Sequence, residues 1–129
     1  MSGAVLTRAE RIARLNDLAR RAMGIACVVV ATEGIQALPE ADQSRLRELV
    51  ETFDAFTPDN DPYGERDFGA IWQGLDGVWS TSRPVDVAVT VFWKIDLYEA
   101  DSYFRYGAET PDNPATTMRV LTIMLARDW

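Results

Sequence analysis

Alternation of apolar and polar positions is strictest between residues 85 and 98. Val85, Val87, Val89, Val91, Trp93, Ile95 and Leu97 fall on one side of an extended chain, and Asp86, Ala88, Thr90, Phe92, Lys94, Asp96 and Tyr98 on the other. This two-residue period predicts a long strand. Its valine and tryptophan face should pack on helices, leaving Lys94, Asp96 and Tyr98 near water or a site. A helical period governs the start of the chain, where Ile12, Leu15, Leu18, Ala19 and Ala22 recur behind Thr7 and Glu10. Thr7 and Glu10 have capping-box spacing, so an amphipathic helix is expected over 8–22, ended by Gly24.

The β-branched run from Ile25 to Thr32 predicts a short buried strand, with Gly34 marking the turn beyond it. Pro39 opens a second helix at a position that tolerates proline, and Glu40 and Asp42 suit its positive end. Leu46, Leu49, Val50 and Phe53 form its apolar stripe, with Phe56 near its end. Residues 57–67 read T-P-D-N-D-P-Y-G-E-R-D, a loop dense in turn formers and carboxylates. Residues 68–80 suggest extended chain interrupted by Gly74, Asp76 and Gly77, followed by a turn at 80–84 and a polar connection over 99–117. In R-V-L-T-I-M-L-A over 119–126, Val120, Thr122 and Ile123 favour a strand, although Met118, Leu121, Met124 and Leu125 would also suit a helix. These elements make an α+β fold, two helices packed on one face of a mainly antiparallel sheet of about four strands.

A length of 129 residues fits a single domain over 1–129, burying roughly two-thirds of the surface of the unfolded chain. The longest strongly apolar run, Gly24 to Ala31, is far short of the roughly twenty residues that span a bilayer. Arg8, Glu10, Arg11 and Arg14 interrupt the segment where a signal peptide would be apolar, so a cytoplasmic location is expected. Cys27 is the only cysteine, which rules out an internal disulfide, and its neighbours Val28, Val29 and Val30 suggest a buried structural thiol. There is no histidine, so Ser-His-Asp and Cys-His nucleophile systems and His-ligated zinc are excluded.

The net charge of -7 disfavours nucleic acid as a direct ligand and a membrane surface is not implied. That charge is uneven: residues 1–21 carry five arginines against Glu10 and Asp17, so the remainder is strongly acidic. Arg8, Arg11, Arg14, Arg20 and Arg21 scatter around the first helix, which argues against a DNA-reading face.

Three stretches resemble the bacterial family catalogued as domain of unknown function 3768. They are Leu15-Asn16-Asp17, the run Asn60-Asp61-Pro62-Tyr63-Gly64-Glu65-Arg66-Asp67-Phe68-Gly69, and the terminal blocks Trp93-Lys94-Ile95-Asp96, Pro111-Asp112-Asn113-Pro114 and Arg119 to Ala126. The sequence departs from the family pattern at Arg66, where histidine is expected, and at Leu97, where tyrosine is expected. The resemblance implies a small bacterial accessory protein associated with plasmids and other mobile elements, and no activity.

Asp59, Asp61, Glu65 and Asp67 lie within nine residues, enough oxygens for a hard cation if the loop folds inward. An EF-hand register fails, because placing Asp59, Asp61 and Gly64 at positions one, three and six leaves Ala70 where the bidentate glutamate belongs. The plainer reading is a surface loop in which Asp59 and Asn60 cap turns and Tyr63 packs under the proline. Asp67-Phe68-Gly69 matches the magnesium tripeptide of protein kinases without the other kinase motifs. A restriction-nuclease motif fails because Phe92, not an acid, stands two residues before the only lysine, Lys94.

Lys94 and Asp96 lie about 7 Å apart along one strand face, as a solvated ion pair, cross-strand partners or members of a site. Tyr98, Tyr103, Phe104 and Tyr106 follow, a density typical of interaction patches. The candidate binding residues are therefore Asp59, Asn60, Asp61, Tyr63, Glu65, Arg66, Asp67, Lys94, Asp96, Tyr98 and Asp101. No catalytic residue, metal ligand or cofactor is assigned. The first functional reading is a binding module whose partner is a protein, with a basic nucleic-acid-binding surface on a host complex, as in a CRISPR or restriction inhibitor, as the concrete case. The alternative is a carboxylate-based, metal-assisted hydrolase using Asp61, Glu65, Asp67 and Lys94. A pocket joining the loop to Lys94 would favour the enzyme.

Overall fold

The Thr7 hydroxyl accepts the Glu10 N–H at 3.1 Å, and the Glu10 carboxylate accepts the Thr7 N–H at 3.3 Å. This closed capping box starts α1, Arg8–Arg21. The computed structural model describes residues 5–100, 107–108 and 111–129. The buried side of α1 is Ile12, Ala13, Asn16, Asp17, Ala19 and Arg20. The expected stripe through Leu18 is thus rotated, and Leu18 is 55% exposed. Polar side chains with partners across the core, described below, occupy the face that apolar spacing alone would give to leucine.

After α1 the chain turns on Gly24, at φ 80°, and the amides of Ile25 and Ala26 both return to the carbonyl of Ala22. Ile25 is therefore exposed in a turn, and β1 is Val28–Ala31 instead of starting at Ile25. It is not the buried central strand expected but an edge strand with Val28 and Val30 exposed, because another strand pairs with it on one side only. Gly34 does not make a turn either. It lies in a one-turn helix, α2, Glu33–Gln36, which buries Ile35. Pro39 then precedes α3, Glu40–Glu51, which buries Leu46 and Val50.

The remaining strands are β2, Phe68–Gly74; β3, Trp79–Ser80; β4, Val87–Glu99; and β5, Thr117–Leu125. The terminal segment is thus a strand, as its β-branched residues favour, and β4 starts two residues later than the alternation suggests, with Val85 fully exposed. The sheet has five strands in the order β1-β5-β4-β2-β3. All pairs are antiparallel except β1 and β5, which run parallel with Val28 opposite Val120. The fold is therefore α+β and mostly antiparallel, with five strands and three helices where about four and two were expected. The two extra elements, α2 and β3, are each shorter than any hydrophobic period can reveal.

One core cluster joins Ala19, Met23, Ile35, Leu46 and Val50 of the helical side to Ile71, Val91, Trp93, Ile95, Leu121 and Ile123 of the sheet. Trp93 is fully buried, and its ring meets Phe53 edge-on at 5.3 Å and Phe56 at 6.1 Å. Such pairs add about 0.5–1.5 kcal/mol beyond area burial. Cys27 is buried, its thiol donates to the Ala19 carbonyl at 3.4 Å, and burial pushes its pKa up. On the opposite sheet face, a 3₁₀ turn at Ala126–Asp128 brings Trp129 to 5.4 Å from Phe68 and 5.8 Å from Phe92.

Gly69 opens β2 opposite Trp93, where a Cβ would stand 2.7 Å from both Phe53 Cζ and Trp93 Cε2. Trp93 Nε1 is nearer still, and both rings are buried. Gly69→Ala should therefore lower stability by about 1–3 kcal/mol in urea unfolding, the range expected for overpacking.

Candidate functional site

The carboxylate loop is held by its own backbone. Asn60 Oδ1 accepts the Thr57 N–H at 2.8 Å, the Asn60 N–H donates to the Thr57 hydroxyl at 3.3 Å, and Asn60 Nδ2 reaches the Ala55 carbonyl at 2.9 Å. The Asp61 carboxylate accepts the N–H of Arg66 at 3.0 Å, which closes the second half of the loop. Arg66 sits at φ 55°, a left-handed conformation that costs a non-glycine residue roughly 1–2 kcal/mol. Tyr63 does not pack under the proline: it is 80% exposed at the loop tip, beside exposed Asp59 and Asn60.

A buried polar cluster ties this loop to the rest of the fold. Asn16 donates from Nδ2 to the Glu65 carbonyl at 2.9 Å and accepts from Arg119 Nε at 2.9 Å, while Arg119 Nη2 reaches the Pro111 carbonyl at 2.7 Å. Asp17 accepts from Arg20 at 2.5 Å on one oxygen and from Arg66 at 2.6 Å on the other. Arg20 also donates to the carbonyls of Val50 and Phe53 at 3.1 and 2.8 Å, and its guanidinium lies 5.2 Å from the Trp93 ring and 5.3 Å from Phe56. Burial lowers the pKa of Arg20, with Asp17 opposing, and burial lowers that of Arg119. The Asp112 carboxylate holds Arg11 at 2.8 Å, and that bond keeps the Asp112 pKa below its ordinary value.

Each of the three sequence stretches that carry the family resemblance contributes to this cluster: Asn16 and Asp17, Glu65 and Arg66, then Pro111 and Arg119. Asn16, Asp17, Arg20 and Arg119 are absent from the candidate residues, although a readable signal existed. Asn16 and Arg20 stand four and eight residues after Ile12, on the buried face of α1. Trp129 was likewise missed; it lies 5.5 Å from Lys94 Nζ.

The acidic candidates gather at one end of β2 and β4. Ile95 N–H donates to the Asp67 carbonyl at 2.8 Å, so the end of the loop is stitched to β4 beside Asp96. Burial raises the Asp67 pKa, its own backbone N–H opposes, and the charges of Asp61 and Asp96 raise it further. Burial also raises that of Glu65, and Asp67 and Asp61 add to it against the pull of Arg8. Lys94 pairs with Asp96 at 3.1 Å within the same strand, both side chains about one-third exposed, so the two form a partly solvated ion pair. Tyr98 lies two residues further along β4, half-buried and opposite Met118. Asp101, Tyr103, Phe104 and Tyr106 lie outside the described residues.

Three clefts share Arg66 in their walls. One of about 480 Å³ runs along the loop past Phe56, Pro58, Asp61 and Tyr63. Another of about 420 Å³ lies between the loop and α1, and a third of about 220 Å³ lies between α1 and Phe53. Lys94 lines none of the three. Among the described residues, no three or more carboxylates or cysteines are placed to hold a metal ion, and no helix is long and apolar enough to cross a membrane.

A family model described as Protein of unknown function (DUF3768) matches residues 31–128, and the chain belongs to that family. The match includes the loop and the terminal strand and begins after α1. No curated protein and no solved structure matches the chain.

Two variants test this arrangement. Asp17→Ala leaves the Arg20 guanidinium buried without its counter-charge and should lower stability by about 3–5 kcal/mol in denaturant unfolding. For Glu65 and Asp67 the folded pKa exceeds the unfolded one, so the folded state binds more protons and stability from these groups rises as pH falls toward about 4. Asp67→Asn should accordingly be more stable than the parent near about pH 7.5. That gap should narrow as pH falls and close only below about pH 4, where the unfolded carboxyl is protonated too.

Proposed function

We propose that this member of the family is a binding module whose contact surface is the carboxylate loop and the adjoining end of β4. The observation that carries this reading is the crowding of Asp61, Glu65, Asp67 and Asp96, in which burial and like charge raise the proton affinity of Glu65 and Asp67. Carboxylates held together in this way are costly to the free chain, and a cationic partner relieves the repulsion. Exposed Asp59 and Tyr63 at the loop tip offer the charge and the aromatic anchor that interface centres favour. The partner of this reading is a protein with a basic, nucleic-acid-binding groove, and the role is that of a mobile-element accessory protein occupying a host defence complex in the cytoplasm. The strongly acidic balance outside the first helix supports it through electrostatic steering.

The hydrolase alternative receives less support. The Lys94 ammonium faces Asp96 and the Trp129 ring, and the clefts around the loop do not reach it.

Fluorescence anisotropy with labelled protamine, an arginine-rich nucleic-acid-binding peptide, tests the contact surface. Asp59→Lys with Glu65→Lys should weaken binding about tenfold more than Glu40→Lys with Asp86→Lys, which makes the same charge change at exposed positions on α3 and before β4. Equal weakening by the two pairs would mean that only net charge matters, and would overturn the loop as the contact surface.

A further inference from the structure

We propose that the cleft between α1 and the loop binds a phosphate group, at a site formed by Arg14, Arg21 and Arg66. The chain is acidic overall, yet in this cleft arginine outnumbers acid, Arg14, Arg21 and Arg66 against Glu10 and Asp17. Arg14, Asp17 and Arg21 are three and seven residues apart and line the same cleft, together with Glu10, Ala13 and Arg66. Arg14 and Arg21 are exposed, and among the described residues neither has an ion pair, in contrast to Arg8 and Arg11, which serve Asp112.

Arg66 is the organised member of the set. Its backbone is held in the left-handed region by Asp61, which accepts its N–H, while Asn16 holds the preceding carbonyl of Glu65. Its Nη1 is fixed on Asp17 at 2.6 Å, and the side chain is still 48% exposed, so part of the guanidinium remains available to the cleft. A non-glycine residue is kept in a strained conformation where the surroundings over-determine it, and such strain concentrates at binding sites. Asp17 cannot neutralise this arginine, because its other oxygen is already committed to Arg20.

The sign of the charge and the number of donors select the ligand. Arg14, Arg21 and Arg66 face Glu10 and Asp17 in this cleft, three cations against two carboxylates, and one oxygen of Asp17 is already drawn to the buried Arg20. Asp54 lines only the smaller neighbouring cleft, which it shares with Arg21 and Arg66. A phosphate monoester carries about -1.5 to -2 near neutral pH and has three terminal oxygens that accept forked hydrogen bonds, so it suits the sign of the charge and can engage three guanidinium groups at once. A monocarboxylate offers only two oxygens to three guanidinium groups.

Titration of the full chain with inorganic phosphate, phenyl phosphate and acetate at matched ionic strength tests the site, followed by the arginine Nε–H resonances in ¹H–¹⁵N spectra. Both phosphates should shift Arg21 and Arg66 saturably, with tighter binding of phenyl phosphate assigning an ester and equal binding assigning free phosphate. Arg14→Ala with Arg21→Ala should weaken binding about tenfold or more while the melting temperature stays near that of the parent, since both side chains are exposed. Arg66→Lys, which keeps the charge and loses the fork, should weaken it as well. No saturable phosphate binding, acetate binding as tight as phosphate, or unchanged affinity in the double variant would overturn the proposal.

Discussion

A guanidinium under a tryptophan ring cannot shed its proton, so burying Arg20 obliges the fold to bring oxygen to it. Three sources meet that demand: Asp17 one turn earlier on α1, and the carbonyls of Val50 and Phe53 where α3 ends. The last carbonyls of a helix have no partners within it, and a cation there also suits the helix dipole. Arg20 therefore pairs both terminal nitrogens and closes α3 in one arrangement, while its Nε stays buried without a hydrogen-bond partner. The angle between α1 and α3 follows, and so does the position of Phe53 and Phe56 against Trp93. Asp17, recruited for Arg20, then has one oxygen left for Arg66, so the loop inherits its position from a requirement of the core.

That inheritance gives the loop two sides of opposite character. Toward β4 its carboxylates crowd against Asp96, whereas toward α1 it presents Arg66 to Arg14 and Arg21. A buried ionic cluster adds little net stability by itself, since desolvation offsets most of the attraction. What it supplies is position. Asn16, Asp17 and Arg119 hold residues 65 and 66 at a fixed distance from α1, and both faces of the loop depend on that register.

The sequence was most informative where periodicity ran long. Fourteen alternating positions identified β4 and its buried face, and the capping box located the start of α1 to within a residue. Elements of one turn or two residues escaped, because α2 and β3 exist through tertiary contact and carry too few positions for a period to register. The buried face of α1 was misread for a different reason. Leu18 looks like core by hydropathy, but Asn16 and Arg20 gain hydrogen bonds across the core that Leu18 cannot make, and the helix presents them instead. The candidate loop was legible as a place, through its turn formers and acids. Its division into an acidic and a basic side was not, since that rests on contacts with residues 49 positions away.

The parallel pairing of β1 with β5 places the burden of assembly on time. Val28 meets Val120, so the first strand finds its partner only in the last strand of the sheet, and Asn16 of α1 likewise waits for Arg119. On the ribosome, β1 must wait while roughly ninety further residues are added, on the order of five to twenty seconds at common elongation rates, whereas Arg20 of α1 can meet Val50 and Phe53 well before that. During that interval Val28 to Val30 form an unpaired apolar edge, the kind of segment that chaperones hold and that associates wrongly when crowded. For a chain of this size, synthesis and folding are close to sequential events: the sheet closes when its final strand emerges.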